Sequence, residues 1–109
     1  MATQQEVAAV FSVMGDRFDA KRAEGVNATI QFDLSGENGG SYWIKIADSK
    51  LETGTGIIES PRMTLRATAD DFYGMMTGSV NPMQAFMMGK IKIAGDSSLA
   101  LKLMPLING

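Results

Sequence analysis

The chain predicts an α+β fold: one sheet with its helices gathered on one face. Two observations carry this. Five short segments have the residue pattern of strands, the clearest of them alternating apolar and polar residues with period two. Before, between and after them lie segments with apolar residues at helical spacing, opened by capping residues and closed by glycine or proline. A length of 109 residues suits one domain with one modest core, so residues 1–109 are expected to form a single unit.

The first helix is announced by Thr3-Gln4-Gln5-Glu6, which has the form of a capping box. Val7, Val10, Phe11, Met14 and Phe18 then share one face, and Gly25 is expected to end the helix. The opposite face bears Asp16, Arg17, Asp19, Lys21, Arg22 and Glu24 and reads as solvated. Val26 to Leu34 alternates as a strand, with Ala28, Ile30, Phe32 and Leu34 on one side. The run Ser35 to Gly40 is a turn, and Ser41 to Asp48 returns antiparallel. Tyr42, Ile44 and Ile46 share a face there, with Trp43 and Lys45 on the other. Lys50 to Gly56 is a weaker, glycine-bearing third strand. A connector through Pro61 leads to a fourth, Met63 to Ala67.

Thr68 is a good N-cap for a helix that brings Phe72, Met75 and Met76 to one side and stops at Gly78. Asn81, Pro82 and Gln84 suit N-cap, N1 and N3 of a short helix bearing Met83, Phe86, Met87 and Met88. Gly89 ends it, and Lys90 to Ala94 alternates as a fifth strand. A last helix is expected over 97–104, with Leu99, Leu103 and Leu106 as its apolar stripe and Pro105 as its breaker. The first three strands can form a meander, and the later ones require at least one crossover.

Composition excludes most chemistry. The chain has no cysteine and no histidine, so disulfides, thiolate nucleophiles, Cys/His zinc sites and Ser–His triads are impossible. No cofactor, metal or catalytic residue is expected, and the chain reads as a non-enzyme. Asp70-Asp71 sits at a helix start, where capping explains it better than catalysis. A net charge of −2 with scattered basic residues does not suit nucleic-acid binding. No apolar run approaches the ~20 residues that span a bilayer, so stable membrane insertion is not expected. The N-terminus lacks the basic and apolar regions of a signal peptide, which points to a cytoplasmic location.

Methionine is the unusual feature. Seven of the nine methionines lie from Met63 onward. Methionine is unbranched and polarizable. It fills irregular gaps in a core, and it also lines surfaces that repack around varied apolar guests. Composition alone leaves both readings open.

The wording of particular segments goes further. VNATIQFDL, the lone Trp43, the block DDFYGMMTGSVNPMQAFMMGKIKIAGD and the terminal LALKLMPLI resemble the sterol carrier protein 2 family over nearly the whole chain. The resemblance implies a five-stranded, mostly antiparallel sheet with about five helices on one face, enclosing an apolar tunnel. It implies binding and transfer of fatty acids, fatty acyl-CoA, sterols and other lipids with low selectivity. Carried over by position, Phe72, Met75, Met76, Phe86 and Met87 would be tunnel walls, with Leu99 and Leu103 from the last helix. Phe32 and Trp43 would contribute from the strands, although alternation turns Trp43 away from Tyr42 and Ile44. Arg17 or Lys21 would meet a ligand head group. The chain ends Leu106-Ile107-Asn108-Gly109, without the small-basic-Leu tripeptide of peroxisomal members. The simplest reading is a free-standing, prokaryotic, cytoplasmic domain whose partner is a small lipid, with transient membrane or enzyme contact allowed and oligomeric state open. The alternative is an accessory module presenting a Met-rich apolar surface to a partner enzyme or to its own copy.

Overall fold

In the computed structural model, which describes residues 3–21, 23–96, 98, 99 and 102, the capping box forms as expected. The Glu6 amide donates to the Thr3 hydroxyl at 3.1 Å, and the Thr3 amide donates to the Glu6 carboxylate at 3.0 Å. They start helix α1 (Gln4–Arg17). This helix ends well before Gly25. Phe18 turns extended, with φ −62° and ψ 126°, and packs against the core. The Asp19 carboxylate then accepts from the Lys21 amide at 3.1 Å, so residues 20, 21 and 23–25 form turns instead of continuing the helix.

Strands β1 (Ala28–Ser35), β2 (Gly40–Ala47) and β3 (Lys50–Thr55) form the expected antiparallel meander. β4 (Met63–Thr68) joins the far side of β1, and β5 (Ile91–Gly95) pairs with β4, giving the order β3-β2-β1-β4-β5. The sheet is mixed. β1 and β4 run parallel, with Ile30 opposite Met63 and Leu34 opposite Ala67. This corrects the expected mostly antiparallel sheet. The chain leaves β3 at one edge, crosses β2 and β1 through residues 56–62, and re-enters in the direction of β1. Helices α2 (Ala69–Thr77) and α3 (Pro82–Met87) lie between β4 and β5. Three helices are thus seen among the described residues, against about five expected. Residues 98, 99 and 102 have helical backbone, but most of the helix expected over 97–104 lies outside the described residues.

Both later helices begin where their caps place them. The Asp71 amide donates to the Thr68 hydroxyl at 3.1 Å, and the Met83 and Gln84 amides donate to the Asn81 side chain at 2.9 and 3.3 Å. Gly78 closes α2 in the left-handed conformation, φ +93°.

One face of the sheet is dry. Ile30, Phe32, Tyr42, Ile44, Ile46 and Met63 are buried there beneath Val7, Val10, Phe11 and Met14 of α1 and Phe72 and Met75 of α2. Phe11 is the centre of this layer. Its ring stacks on Tyr42 (centroids 4.4 Å apart) and on Phe72 (5.4 Å), and meets Phe32 edge-on at 5.3 Å. Burying side chains of this size contributes about 1.5–3 kcal/mol each. The ring geometry adds to that.

The outer face is wet by pattern, yet Gln31 on that face is only 3% exposed. Its side-chain amide donates to the carbonyls of Tyr42 (3.1 Å) and Gly56 (3.0 Å) and accepts from the Ile58 amide (2.8 Å). Gln31 therefore ties the crossing segment 56–62 to the sheet. Beside it, Trp43 lies over its register partner Gly54, where a Cβ would run into the indole ring.

Candidate functional site

The apolar stripe of α1 is wider than the core beneath it. Val10 and Met14 are buried, while Val13, between them, is 40% exposed. α2 repeats the pattern: Phe72 and Met75 face inward, and Met76 is half-buried. Two helices whose apolar stripes overrun their contact leave a groove between them. Its volume is about 370 Å³. Ala9, Val10, Val13 and Met14 line one wall and Met76 the other, with Glu6, Tyr73 and Thr77 supplying polar groups. The Thr77 hydroxyl donates to the Tyr73 carbonyl at 2.9 Å.

Glu6 and Tyr73 link the two helices across this groove. Hydrogen bonds to its carboxylate, from the Thr3 backbone first and then from the Tyr73 hydroxyl, hold Glu6 below the usual carboxylate range. The same bond to Glu6 raises the Tyr73 phenol. The signs follow from linkage. The Glu6 contribution is present above its ordinary value of 4.5 and is lost as pH falls through the depressed folded value. The Tyr73 contribution is present below its ordinary value of 10.0 and is lost as pH rises through the raised folded value. Melting temperature recorded against pH for the wild type and Tyr73→Phe tests this. Their difference should be constant between those limits and shrink outside them. A difference that does not change with pH would remove the link.

The residues expected to bind ligand do not fall in one place. Met76 lines the groove. Phe32, Phe72, Met75 and Leu99 are buried. Phe86 and Met87, on α3, are 50% and 83% exposed, and with Met83 and Met88 they form an apolar surface. Trp43 lies on the outer face of the sheet. Lys21 is exposed. The Arg17 side chain and all of Leu103 lie outside the described residues. Sequence reading missed Val13, Tyr73 and Glu6 as groove residues. A signal existed for Val13: with Val10 and Met14 it makes an i, i+3, i+4 set one column wider than a simple core stripe. Nothing local marks Glu6 beyond its cap.

Chemically, the groove offers apolar walls and a hydrogen-bonding rim. Among the described residues, no three or more Asp or Glu side chains are grouped to hold a metal ion. No helix among them is long and apolar enough to cross a membrane.

Comparison with known proteins agrees with this architecture. The profile described as the SCP-2 sterol transfer family matches residues 12–108. Hydroxysteroid dehydrogenase-like protein 2 from Bos taurus is 33% identical over 99 residues, covering 90% of this chain and 24% of its own length. The chain spans about a quarter or less of the curated relatives it matches. Among solved structures, the sec-alkylsulfatase Pisa1 from Pseudomonas sp. superposes with a TM-score of 0.80 at 16% identity, over 91% of this chain and 16% of that one. Sterol carrier protein 2 from Aedes aegypti, in complex with the C16 fatty acid palmitate, gives 0.61 at 18% identity, over 98% and 96% of the two chains. At these identities the structural likeness shows the fold.

Proposed function

This chain belongs to the SCP-2 sterol transfer family, whose work is lipid binding and transfer, and on that premise we propose that it binds a lipid in the groove between α1 and α2 without chemically altering it. The observation that supports this best is the apolar groove itself, walled by Val10, Val13, Met14 and Met76 and rimmed by Glu6 and Tyr73. Its 370 Å³ falls within the range of small-molecule sites. A long-chain fatty acid is the first ligand to test, because the Aedes aegypti relative is described with palmitate. Acyl-CoA and sterol-like ligands are further members of the class.

Energetics allow the reading. Each buried methylene contributes about 0.8 kcal/mol, so ~14 of them contribute roughly 11 kcal/mol before losses. Association costs about 4–15 kcal/mol. At the low end of that cost the surplus is about 7 kcal/mol, which corresponds to micromolar affinity, with tolerance of chain length. In this reading the groove is the mouth of the family's apolar tunnel. Phe32, Phe72 and Met75 become wall once the Phe11 ring moves aside. Leu99 closes it from the C-terminal side, and Trp43 stands outside it. The head group stays at the wet end, and Arg17 and Lys21 are the candidate partners of its carboxylate.

The decisive experiment is native purification followed by lipid extraction and mass spectrometry, with displacement of a fluorescent fatty acid as the affinity readout. Met76→Glu should weaken uptake about tenfold or more while leaving circular dichroism unchanged, because it sets a carboxylate against the acyl chain. Unchanged uptake by this variant would place the ligand elsewhere. A protein that is lipid-free and takes up no probe would end the reading. The second reading, an accessory surface, rests on the exposed Met83, Phe86, Met87 and Met88. The relatives carry the matching stretch inside larger chains, which does not favour a separate accessory.

A further inference from the structure

We propose that the outer face of the sheet holds a second site, a groove that binds a phosphate group, on the side of the sheet away from the α1–α2 groove. It lies where β1 ends and β2 and β5 begin, and its volume is about 490 Å³. Arg66 of β4, Lys92 of β5 and Lys90 just before β5 line it, and Asp33 of β1 faces them. The whole chain has 10 basic against 12 acidic side chains. Here that balance is reversed: three cations meet one carboxylate.

The register makes the imbalance physical. Ser41, Asp33, Arg66 and Lys92 stand in one row across β2, β1, β4 and β5, each a register partner of the next. Arg66 and Lys92 are therefore directly opposed in an antiparallel pair, where like charges repel. Asp33 relieves this only partly. Its contact with Arg66 is loose, at 3.7 Å, and it also accepts from the Gln31 side-chain amide and the Ser41 hydroxyl, both at 3.4 Å. Lys90 and Lys92 have no ion-pair partner among the described residues, and both are exposed. A surplus of two positive charges thus remains in a concave site.

A dianion would neutralise that surplus. Guanidinium and ammonium groups suit phosphate oxygens, the first as a planar fork and the second as a point charge. Ser35, Ser41 and Thr68 also line the groove, the hydroxyls of Ser35 and Ser41 donating to the Ala67 carbonyl and the Asp33 carboxylate. The Thr68 hydroxyl accepts from the Asp71 amide, which leaves its own proton available to an anion. A lone phosphate would not fill 490 Å³, so the ligand class is a phosphate ester or a diphosphate. The phosphate could belong to a soluble ester or to a phospholipid head group.

The test uses the full chain. Pyrophosphate is titrated while amide shifts are followed by NMR, and cosedimentation is measured with vesicles of phosphatidylcholine alone and of phosphatidylcholine with phosphatidic acid, whose head group is a phosphate monoester. Saturable shifts at Ser41, Thr68, Lys90 and Lys92 are expected, with affinity about tenfold weaker in the double variant Lys90→Gln/Lys92→Gln. Pyrophosphate binding without vesicle binding assigns a soluble phosphate ester. Binding to phosphatidic acid vesicles that is lost in the double variant assigns a head group. Binding to neither, or binding unchanged in the double variant, overturns the site. The double variant should still take up the fluorescent fatty acid, and Met76→Glu should still bind pyrophosphate, so the two sites fail or stand separately.

Discussion

Phe11→Ala should cost about 3–5 kcal/mol of stability, a large part of the total for a small domain. The phenylalanine ring is 4% exposed and touches Tyr42, Phe32 and Phe72. Through this ring α1 engages both the sheet and α2. Removing it leaves a hole bounded by three rigid rings, which cannot collapse to fill it. Urea denaturation of the purified variant gives the number. A loss below about 1 kcal/mol would mean that α1 is held by the rest of its stripe. If a lipid chain enters by displacing this ring, bound fatty acid should restore part of the loss in Phe11→Ala. A variant stabilised by ligand no more than the wild type would argue against that route.

Gln31→Leu is the second large effect, and its cause is different. Leucine keeps the volume but leaves the Ile58 amide and the Gly56 carbonyl without their side-chain partner. The Tyr42 carbonyl also loses its bond from Gln31; that bond is buried and the other two are partly buried. A buried polar group left unpaired costs about 1–3 kcal/mol, so a loss of about 1–3 kcal/mol is expected. Hydrogen exchange should locate it: the Ile58 amide should exchange much faster in the variant, while amides of the β1–β2 ladder keep their relative protection. Protection of Ile58 equal to that of the wild type would mean that the crossing segment does not depend on Gln31.

These two residues mark the limit of what could be read from sequence. Phe11 was legible because its burial follows from a helical period, a local property. So were the caps at Thr3, Thr68 and Asn81, each formed within three residues of chain. Gln31 was not, because its strand alternation assigns it to the wet face. What dries it is a segment 25 residues away, which no local pattern announces. The early end of α1 at Arg17 was hidden for a related reason: Phe18 fits the helical stripe, yet it packs on the core in an extended conformation. The parallel union of β1 and β4 was equally invisible, since strand direction depends on how 56–62 crosses the sheet. The groove is in between. Its α1 wall could be found from Val10, Val13 and Met14, but its pairing with Met76 and Tyr73 depends on how α2 docks.

That parallel union also shapes the order of assembly. β1 meets β2 across a short turn but meets β4 only after some thirty intervening residues, with Ile30 opposite Met63. Loop closure taxes such distant contacts before they reward the chain, so the hairpin should form first and β4 should arrive late. In the interval β1, destined for the middle of the sheet, is a temporary edge: a row of unpaired amides and carbonyls above Ile30, Phe32 and Leu34. During synthesis β1 leaves the ribosome well before β4, so this unguarded strand is where a nascent chain is most prone to pair with the wrong neighbour.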